Sequence, residues 1–256
     1  MNLFSLKDKT AIVTGSSRGI GRAIAVAYAR AGAKVVVTSR KIDACKAVVD
    51  QIKTEGGEAM AIACNISSKE QIGALVDQTE AAYGPIDTLV CNAAVNPFYG
   101  PMAEISDEAF QKTLNVNILS NVWLANRVAP GMAARQGGAI VIISSIAGIT
   151  GSRVLGAYAI SKAADMQLAR NLALEWGKQG VRANCIAPGL IKTDFAKALW
   201  DNPQTLAAAL KSSPLNAIGD PDDIAGAALL LGSDAGKFIT GTTIVIDGGA
   251  TIGGEA

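Results

Sequence analysis

Short apolar runs rich in β-branched residues alternate along this chain with longer amphipathic stretches. The pattern predicts strands at 11–13, 34–38, 59–63, 88–91, 139–143, 182–186 and 243–246. Most of these runs are apolar throughout, which is typical of strands buried on both faces of a parallel sheet. The stretches between them predict helices, including 20–31, 42–55, 69–83, 107–134 and 158–176. This rhythm predicts a doubly wound sheet that is covered by helices on both sides.

The interval 191–219 departs from the rhythm. It contains no clear strand and scatters large apolar side chains among polar ones, namely Phe195, Leu199, Trp200, Leu206 and Leu210. Such sheets bind ligands at the carboxyl ends of their strands, and this interval follows one of those ends, so we predict a substrate lid. An ordinary pair of surface helices is the alternative. Without a linker or an internal repeat, 1–256 is predicted to form one domain.

The composition excludes several classes of function. The 256 residues carry 23 Lys and Arg against 22 Asp and Glu, whereas a nucleic-acid-binding protein usually shows a basic patch. The chain has no histidine, so neither a Ser-His nor a Cys-His nucleophile is available. The 4 cysteines are far apart and form no CxxC pair, so we expect buried free thiols and no metal site.

No apolar run approaches the ~18 residues that a membrane span requires. The polar start before the first strand is too short for a signal peptide, and the final Gly-Gly-Glu-Ala is not a peroxisomal or retention signal. We therefore expect a soluble cytoplasmic protein with neither a membrane nor a nucleic-acid partner.

A glycine-rich turn, Gly15-Ser-Ser-Arg-Gly-Ile-Gly21, joins the first strand to a helix. Glycines in such a turn let the backbone approach a pyrophosphate, and the N-terminus of the helix offers free N–H groups. The spacing is G-x-x-x-G-x-G rather than G-x-G-x-x-G, but its place between a strand and a helix predicts dinucleotide binding. The predicted fold class is therefore α/β, with a Rossmann-type doubly wound seven-stranded parallel sheet in a three-layer α/β/α sandwich.

Tyr158 and Lys162 are four residues apart in a predicted helix and so share one face. An ammonium beside a phenol favours the phenolate, and such a tyrosine can exchange a proton with a carbonyl or alcohol oxygen near neutral pH. The strand 139–143 ends just before Ser145, whose hydroxyl can hydrogen-bond the same oxygen. Taken singly, a surface lysine and a turn-forming serine are the alternatives.

Together these motifs resemble the short-chain dehydrogenase/reductase family over nearly the whole chain. The segments 92–98 and 187–193 are similar to those of NADPH-dependent carbonyl and retinal reductases of the peroxisomal dehydrogenase/reductase group. Two positions depart from the family: Ala94 replaces a usual glycine, and Asn65 stands where an aspartate commonly meets the adenine. An amide oxygen can still accept that bond.

The resemblance implies a hydride transfer between a nicotinamide cofactor and an alcohol/carbonyl pair. The implied catalytic residues are Asn117, Ser145, Tyr158 and Lys162. The implied cofactor-binding residues are Gly15, Ser17, Arg18, Gly19, Ile20, Gly21, Ser39, Arg40, Asn65, Ile66, Asn92, Ala93, Tyr158, Lys162, Pro188, Gly189, Ile191 and Thr193. The implied substrate contacts are Ser145, Tyr158, Phe98, Ile149, Leu155, Phe195, Leu199 and Trp200, a mostly apolar set that predicts a bulky apolar or aromatic ketone or aldehyde.

The choice of cofactor is predicted from the end of the second strand. NAD-binding sheets place a carboxylate there for the ribose 2′-OH, but this chain has Ser39 and Arg40, and Asp43 lies further on. Arg40 can meet a 2′-phosphate with paired N–H bonds, and Arg18 can approach it from the glycine turn. These residues predict NADP(H) in preference to NAD(H), unless both arginines are only solvated surface charges.

Two other functions and one assembly are compatible with the sequence. A 3-oxoacyl-(acyl carrier protein) reductase shares the motifs, but Gln136 and Gln179 stand where the resemblance implies basic residues near the site entrance for the carrier. A non-catalytic NADP(H)-sensing protein usually loses the tyrosine or the lysine. The helices 107–134 and 158–176 resemble those that pair across subunits in the family, which implies a homotetramer; the alternative is that they are core helices of a monomer.

Overall fold

The computed structural model describes residues 3–252, so the ends of the predicted domain 1–256 lie outside the described residues. The strands are β1 (Thr10–Thr14), β2 (Lys34–Ser39), β3 (Glu58–Ala63), β4 (Thr88–Cys91), β5 (Gly138–Ile143), β6 (Val181–Pro188) and β7 (Thr243–Ile246). The α-helices are α1 (Gly19–Arg30), α2 (Ile42–Thr54), α3 (Lys69–Tyr83), α4 (Asp107–Leu114), α5 (Ser120–Ala134), α6 (Gly156–Trp176), α7 (Lys197–Trp200), α8 (Pro203–Ser212) and α9 (Pro221–Gly232).

All seven strands are parallel and form one sheet in the order β3-β2-β1-β4-β5-β6-β7. The buried apolar side chains of α3, α5 and α6 pack on one face, and those of α1, α2 and α9 pack on the other. The predicted Rossmann-type, three-layer α/β/α sandwich is therefore confirmed. Strand order reverses between β1 and β4, and that crevice is where folds of this kind bind dinucleotides.

The strands and helices named from the sequence pattern agree with the structure to within two residues at each end, with one exception, and α9 was not among the helices named. The helix predicted at 107–134 is divided into α4, a π-helical segment Asn115–Leu119, and α5. Hydrophobic periodicity cannot distinguish a π turn, because the wider turn shifts the apolar face only locally. Such turns occur frequently at functional sites, and this one contains Asn117.

The interval 191–219 is closed by a single parallel bridge between Ile191 and Gly219. It contains α7 and α8, neither of which has a fully buried residue. Asn202 begins α8 by accepting hydrogen bonds from the N–H groups of Gln204 and Thr205, with Pro203 in the first turn. Local sequence signals thus specify where α8 begins, but both helices are only lightly packed against the rest of the chain.

Within residues 3–252, no helix combines the length and the apolar character needed to cross a membrane. Cys45, Cys64, Cys91 and Cys185 are all buried and unpaired, as expected.

Candidate active site at the carboxyl edge of the sheet

The glycine turn after β1 leaves no space for a side chain at Gly15 or Gly21. Gly15 has a positive φ of 64°, and a Cβ there would lie 3.0 Å from the Cα of Ala93. A Cβ on Gly21 would lie 2.5 Å from the amide nitrogen of Asn92 and 2.6 Å from the backbone oxygen of Gly15. The turn is therefore packed tightly against the loop after β4, and only glycine fits at these two positions.

The N-terminus of α1 is open to a ligand. Arg18 occupies the N-cap without a side-chain capping bond, and the first turn of the helix contains no acidic residue. Its first N–H groups, next to Ile20, therefore lack a side-chain acceptor, and the positive end of the helix dipole is not neutralised locally. This arrangement fits the pyrophosphate of a dinucleotide.

Thr14 joins the glycine turn to the loop after β4. Its Oγ1 accepts hydrogen bonds from the backbone N–H groups of Asn92 (2.9 Å) and Ala93 (3.1 Å). In return, the Asn92 amide donates to the backbone oxygens of Thr14 (2.8 Å) and Gly15 (3.3 Å). Thr14 was not among the residues predicted to bind the cofactor, although a polar residue at the end of a buried strand was a usable signal.

The two arginines predicted to read the cofactor differ in their surroundings. Arg40, just after β2, is exposed and has no ion-pair partner within residues 3–252. Arg18 lies 3.6 Å from Asp194, and the two side chains are 67% and 68% exposed. Arg18 is therefore paired with a carboxylate of the interval 191–219. The sequence did not predict this contact.

The remaining residues of the predicted cofactor set in the first half of the sheet lie at the same edge. Ser17 is in the glycine turn, and the Ser39 hydroxyl lies 3.1 Å from the thiol of Cys45. Asn65 follows β3, where its side-chain oxygen accepts from the N–H of Ser67 (3.1 Å), and Ile66 beside it is 8% exposed. The amide oxygen of Asn65 thus already accepts one hydrogen bond within its own turn, and one lone pair is left for a ligand.

The end of β5 is held directly on α6. The hydroxyl of Ser144 donates to the backbone oxygen of Lys162 (2.7 Å), and that of Ser145 accepts from the N–H of Ala147 (3.1 Å). A Cβ on Gly148 would lie 2.6 Å from the backbone of Lys162, so the turn after Ser145 lies against that helix. The Ser145 bond is that of a turn-forming serine, and its hydroxyl proton remains available for a ligand.

Tyr158 and Lys162 lie in the first turns of α6, which begins at Gly156 rather than at the tyrosine. The Lys162 ammonium is 5.7 Å from the centroid of the Tyr158 ring. Lys162 is only 2% exposed, and its ammonium donates to the backbone oxygen of Ile143 (2.8 Å) and to a carboxylate oxygen of Asp165 (2.9 Å). The alternative of a solvated surface lysine is therefore wrong.

The pKa of the Lys162 ammonium is shifted upward. Burial by itself lowers this pKa, but the Asp165 carboxylate, Tyr158, the hydrogen bond to Asp165 and Cys185 together raise it by more. Lys162 is therefore held in its charged form.

Asn117 is fully buried in the π-helical segment. Its side-chain oxygen accepts from the N–H of Val95 (2.8 Å), and its amide nitrogen donates to the backbone oxygen of Val95 (3.0 Å) and to the Ser161 hydroxyl (2.9 Å). Its backbone oxygen accepts from the amide of Asn121 (2.7 Å). Asn117 thus joins the loop after β4 to the helix that carries Tyr158 and Lys162.

The predicted segment 188–193 connects the sheet to the interval 191–219. Gly189 lies against Asp247, since a Cβ at this glycine would be 2.8 Å from the Cα of Asp247. Pro188 ends β6, and Ile191 is 4% exposed. The methyl group of Thr193 is 3.3 Å from the position of a Cβ on Gly19, so this segment touches the glycine turn.

Among the predicted substrate contacts, Phe195 reaches the site most clearly. Its ring centroid is 6.2 Å from that of Tyr158. The Trp200 indole N–H donates to the backbone oxygen of Thr193 (2.8 Å), which holds α7, and with it Leu199, next to this segment. The other predicted contacts lie on loops: Phe98 after β4, and Ile149 and Leu155 between β5 and α6.

Comparisons with known proteins agree with this geometry. A family model described as enoyl-(acyl carrier protein) reductase matches residues 15–251. Dehydrogenase/reductase SDR family member 4 of Bos taurus is 40% identical over 245 residues, which cover 96% of this chain and 88% of that protein. The chain belongs to the short-chain dehydrogenase/reductase family.

Two solved short-chain dehydrogenase/reductase structures carry ligands. A 7α-hydroxysteroid dehydrogenase complexed with NADH and 7-oxo glycochenodeoxycholic acid has a TM-score of 0.93 and 38% identity, covering 96% of both chains. A gluconate 5-dehydrogenase from Burkholderia cenocepacia J2315 complexed with NADP and tartrate has a TM-score of 0.94 and 31% identity, covering 99% of both. The protein is therefore an oxidoreductase of this family that uses a nicotinamide cofactor and acts on a small molecule.

One expectation about the short-chain dehydrogenase/reductase site is wrong. Gln136 and Gln179 were placed near its entrance by the resemblance, but they lie in the turns that precede β5 and β6, at the amino edge of the sheet. Gly180 confirms that the two turns adjoin, because a Cβ there would be 2.4 Å from the backbone oxygen of Gln136. Since the strands are parallel, this edge is opposite to Ser145. These glutamines therefore do not indicate which substrate binds at the site of their own chain.

No group of His, Cys, Asp and Glu side chains within residues 3–252 is arranged to hold a metal ion.

Proposed function

We propose that this protein is an NADP(H)-dependent carbonyl reductase and alcohol dehydrogenase that acts on bulky apolar or aromatic ketones and aldehydes. The observation that carries the proposal is the buried, charged Lys162 at 5.7 Å from the Tyr158 ring, beside the end of the strand that leads into Ser145. A tyrosine with a fixed ammonium beside it can act as a proton donor or acceptor without a histidine.

Each catalytic residue has one task in this proposal. The glycine turn and the first turn of α1 would hold a nicotinamide dinucleotide, which would supply or accept the hydride that is exchanged with the substrate carbon. Tyr158 donates its phenolic proton to the substrate oxygen during reduction and takes one from the alcohol during oxidation. Lys162 stabilises the phenolate that remains, and the hydroxyl of Ser145 donates a hydrogen bond to the reacting oxygen. Asn117 maintains the proton path between Lys162 and solvent.

The preference for NADP(H) rests on Arg40. This arginine is exposed after β2, no carboxylate stands at the first two positions beyond the strand, and a guanidinium matches a phosphate with paired N–H bonds. Arg18 supports the preference less strongly, because it is shared with Asp194. Complexes with NADH and with NADP both occur among the solved relatives, so the preference has to be measured on this chain.

The substrate class rests on the interval 191–219, which we propose acts as a lid. Phe195 faces the tyrosine ring, and a cavity of about 120 Å³, lined by residues that include Ile146, Leu190, Ala209 and Asp247, separates α8 from the sheet edge. An apolar side chain buried against a ligand contributes on the order of 1–3 kcal/mol. A lid with few buried contacts of its own can close on such a ligand at a small cost in free energy.

The test is the consumption of NADPH, followed by its absorbance, with a panel of carbonyl compounds. The panel contains acetophenone, a diketone, an aromatic aldehyde, hydroxyacetone and a 3-oxoacyl thioester. We expect the highest kcat/KM for acetophenone or the aromatic aldehyde. Higher efficiency on hydroxyacetone contradicts the apolar substrate, and exclusive turnover of the thioester makes the protein a 3-oxoacyl reductase. Stoichiometric NADPH binding without turnover makes it a sensor.

We also propose a homotetramer. The helices predicted to pair across subunits expose apolar side chains, with Ile160 at 47% and Leu174 at 84% in α6, and Leu119 at 38% just before α5. Exposed apolar side chains on these helices are compatible with burial between subunits. A monomeric mass by light scattering at micromolar concentration contradicts this assembly.

A further inference from the structure

Lys162 lies in a buried polar network that the proposed reaction does not itself require. Asp165, one turn along α6, is 0% exposed and accepts the Lys162 ammonium at 2.9 Å. Its other oxygen accepts from the amide of Asn121 on α5 at 2.9 Å. Asn121 in turn donates to the backbone oxygen of Asn117 at 2.7 Å. The lysine is thus joined through a carboxylate and an amide to the π-helical segment.

An isolated carboxylate is costly to bury, so its presence needs a reason. Burial raises the pKa of Asp165, while the Lys162 ammonium and the Asn121 amide lower it, and the net shift is upward. Both of its neighbours are hydrogen-bond donors, and each carboxylate oxygen accepts one of these bonds, which favours the ionised form. An ammonium and a carboxylate therefore face each other in a site that excludes water.

The other charged or titratable groups around the pair do not replace this carboxylate. Cys91 on β4 and Cys185 on β6 have their thiol pKa raised by burial, so both are neutral. Tyr158 is the remaining titratable neighbour, while β5 contributes the Ile143 carbonyl and α5 the neutral Asn121. The other charged side chains of α4, α6 and the turn before β6 are exposed: Asp107, Glu108, Lys112, Arg170, Glu175 and Lys178.

We propose that Asp165 is a positioning residue that acts through Lys162: it keeps the ammonium charged and, together with the Ile143 carbonyl, fixes two of its three N–H donors, leaving the third for the cofactor and Tyr158. This inference rests on the proposed function, because it assigns a role within the same site. The Ile143 carbonyl and Asp165 occupy two donors, so the direction of the third follows from the tetrahedral geometry of the ammonium.

The first test measures how the activity depends on pH. We compare wild type and Asp165→Asn by kcat/KM for the NADP⁺-dependent oxidation of 1-phenylethanol from neutral to strongly alkaline pH. The amide preserves shape but removes the charge, so the ammonium loses its proton more easily. We expect the alkaline decline of the variant to move to lower pH by about 1–3 units, the usual effect of one close opposite charge. Superimposable profiles overturn the proposal.

A matched control separates this effect from a loss of stability. Asn184 on β6 is 1% exposed and holds the backbone near Ile239 and Thr242. Asn184→Ser removes buried hydrogen bonds without touching Lys162, so we expect a lower Tm with an unmoved alkaline decline. A decline that moves equally in this control overturns the assignment to Asp165.

A second measurement needs no turnover and so separates this inference from the proposed function. The pH titration of the Lys162 side-chain NMR signals in the cofactor-free protein, assigned by their loss in Lys162→Met, reports its proton affinity directly. We expect the titration midpoint to lie at lower pH in Asp165→Asn than in wild type, even if 1-phenylethanol is not a substrate. Equal midpoints overturn the inference.

Folding of the variants gives a final check. Lys162→Met leaves an unpaired buried carboxylate and Asp165→Asn an unpaired buried ammonium, whereas the double variant leaves neither. We expect the double variant to lose less in Tm than the sum of the single losses, and to fold even if Asp165→Asn does not. Additive losses, or failure of both Asp165→Asn and the double variant to fold, make Asp165 a purely structural residue and overturn the proposal.

Discussion

The two sides of the site are built differently. On its floor, Asn117, Asn121, Lys162 and Asp165 are at most 2% exposed, and each has several hydrogen bonds. On its rim, Arg18, Arg40, Asp194 and Phe195 are all exposed and have few partners or none. In the proposed function, the floor would fix the geometry that proton transfer needs, while the rim would meet the parts of the ligands that differ between enzymes. Selectivity can therefore change on the rim without disturbing the floor.

The largest difference between the two regions is expected in stability. Leu124 on α5 lies one turn beyond Asn121 and is 0% exposed, whereas Leu206 on α8 is half-buried. We expect Leu124→Ala to lower the free energy of unfolding by about 2–5 kcal/mol, since it leaves a cavity. Leu206→Ala, the matched control, is expected to cost less than about 1 kcal/mol. Urea unfolding of both measures this, and equal losses mean that the lid is packed as firmly as the core.

The next effect concerns catalysis. Tyr158→Phe removes the proton donor but keeps the ring, so we expect kcat to fall at least ~10²-fold with nearly unchanged NADPH affinity. Tyr83→Phe on α3 is the control, because it makes the same chemical change away from the carboxyl edge. More than a tenth of wild-type turnover in Tyr158→Phe removes this residue from its proposed role.

On the rim, Arg40 is expected to set the choice of cofactor. We expect kcat/KM for NADPH to exceed that for NADH at least ~10-fold, because one charge-assisted bond contributes about 1.5–3 kcal/mol. Arg40→Ala is expected to remove most of that ratio. Lys53→Ala, at the far end of α2, removes the same charge from a remote site and should leave the ratio intact. Equal efficiencies for the two cofactors in wild type show that Arg40 does not read the 2′-phosphate.

The smallest effect concerns the substrate. Phe195 is 54% exposed, so it has only part of its apolar surface to offer a ligand. We expect Phe195→Ala to raise KM for acetophenone on the order of 5-fold and to change kcat little. Phe238, which is 100% exposed, gives a matched Phe→Ala control. A drop in kcat as large as that of Tyr158→Phe would place Phe195 in the floor rather than on the rim.

The sequence by itself determined the layers, the strand boundaries and the positions of the main motifs. Buried strands need continuous apolar runs, and amphipathic helices need a repeating apolar face. The local sequence pattern therefore predicts which residues are buried. For the same reason the glycine turn, Ser145, Tyr158 and Lys162 were selected from short spacings. The Lys162–Asp165 pair was also available as an i,i+3 spacing, but an aspartate on a helix is usually solvated and gave no reason to select it.

Only the tertiary structure decided which side chains meet across elements. Asn121 and Asp165 are 44 residues apart in the chain, and they are joined because α5 and α6 pack on the same face of the sheet. The contact of Arg18 with Asp194 and the position of Gln136 at the wrong edge for a substrate likewise depend on how distant segments are placed. The π turn at Asn117 has no periodic signal, because its wider geometry is stabilised by bonds to the loop after β4 and to α6 rather than by the residues within it.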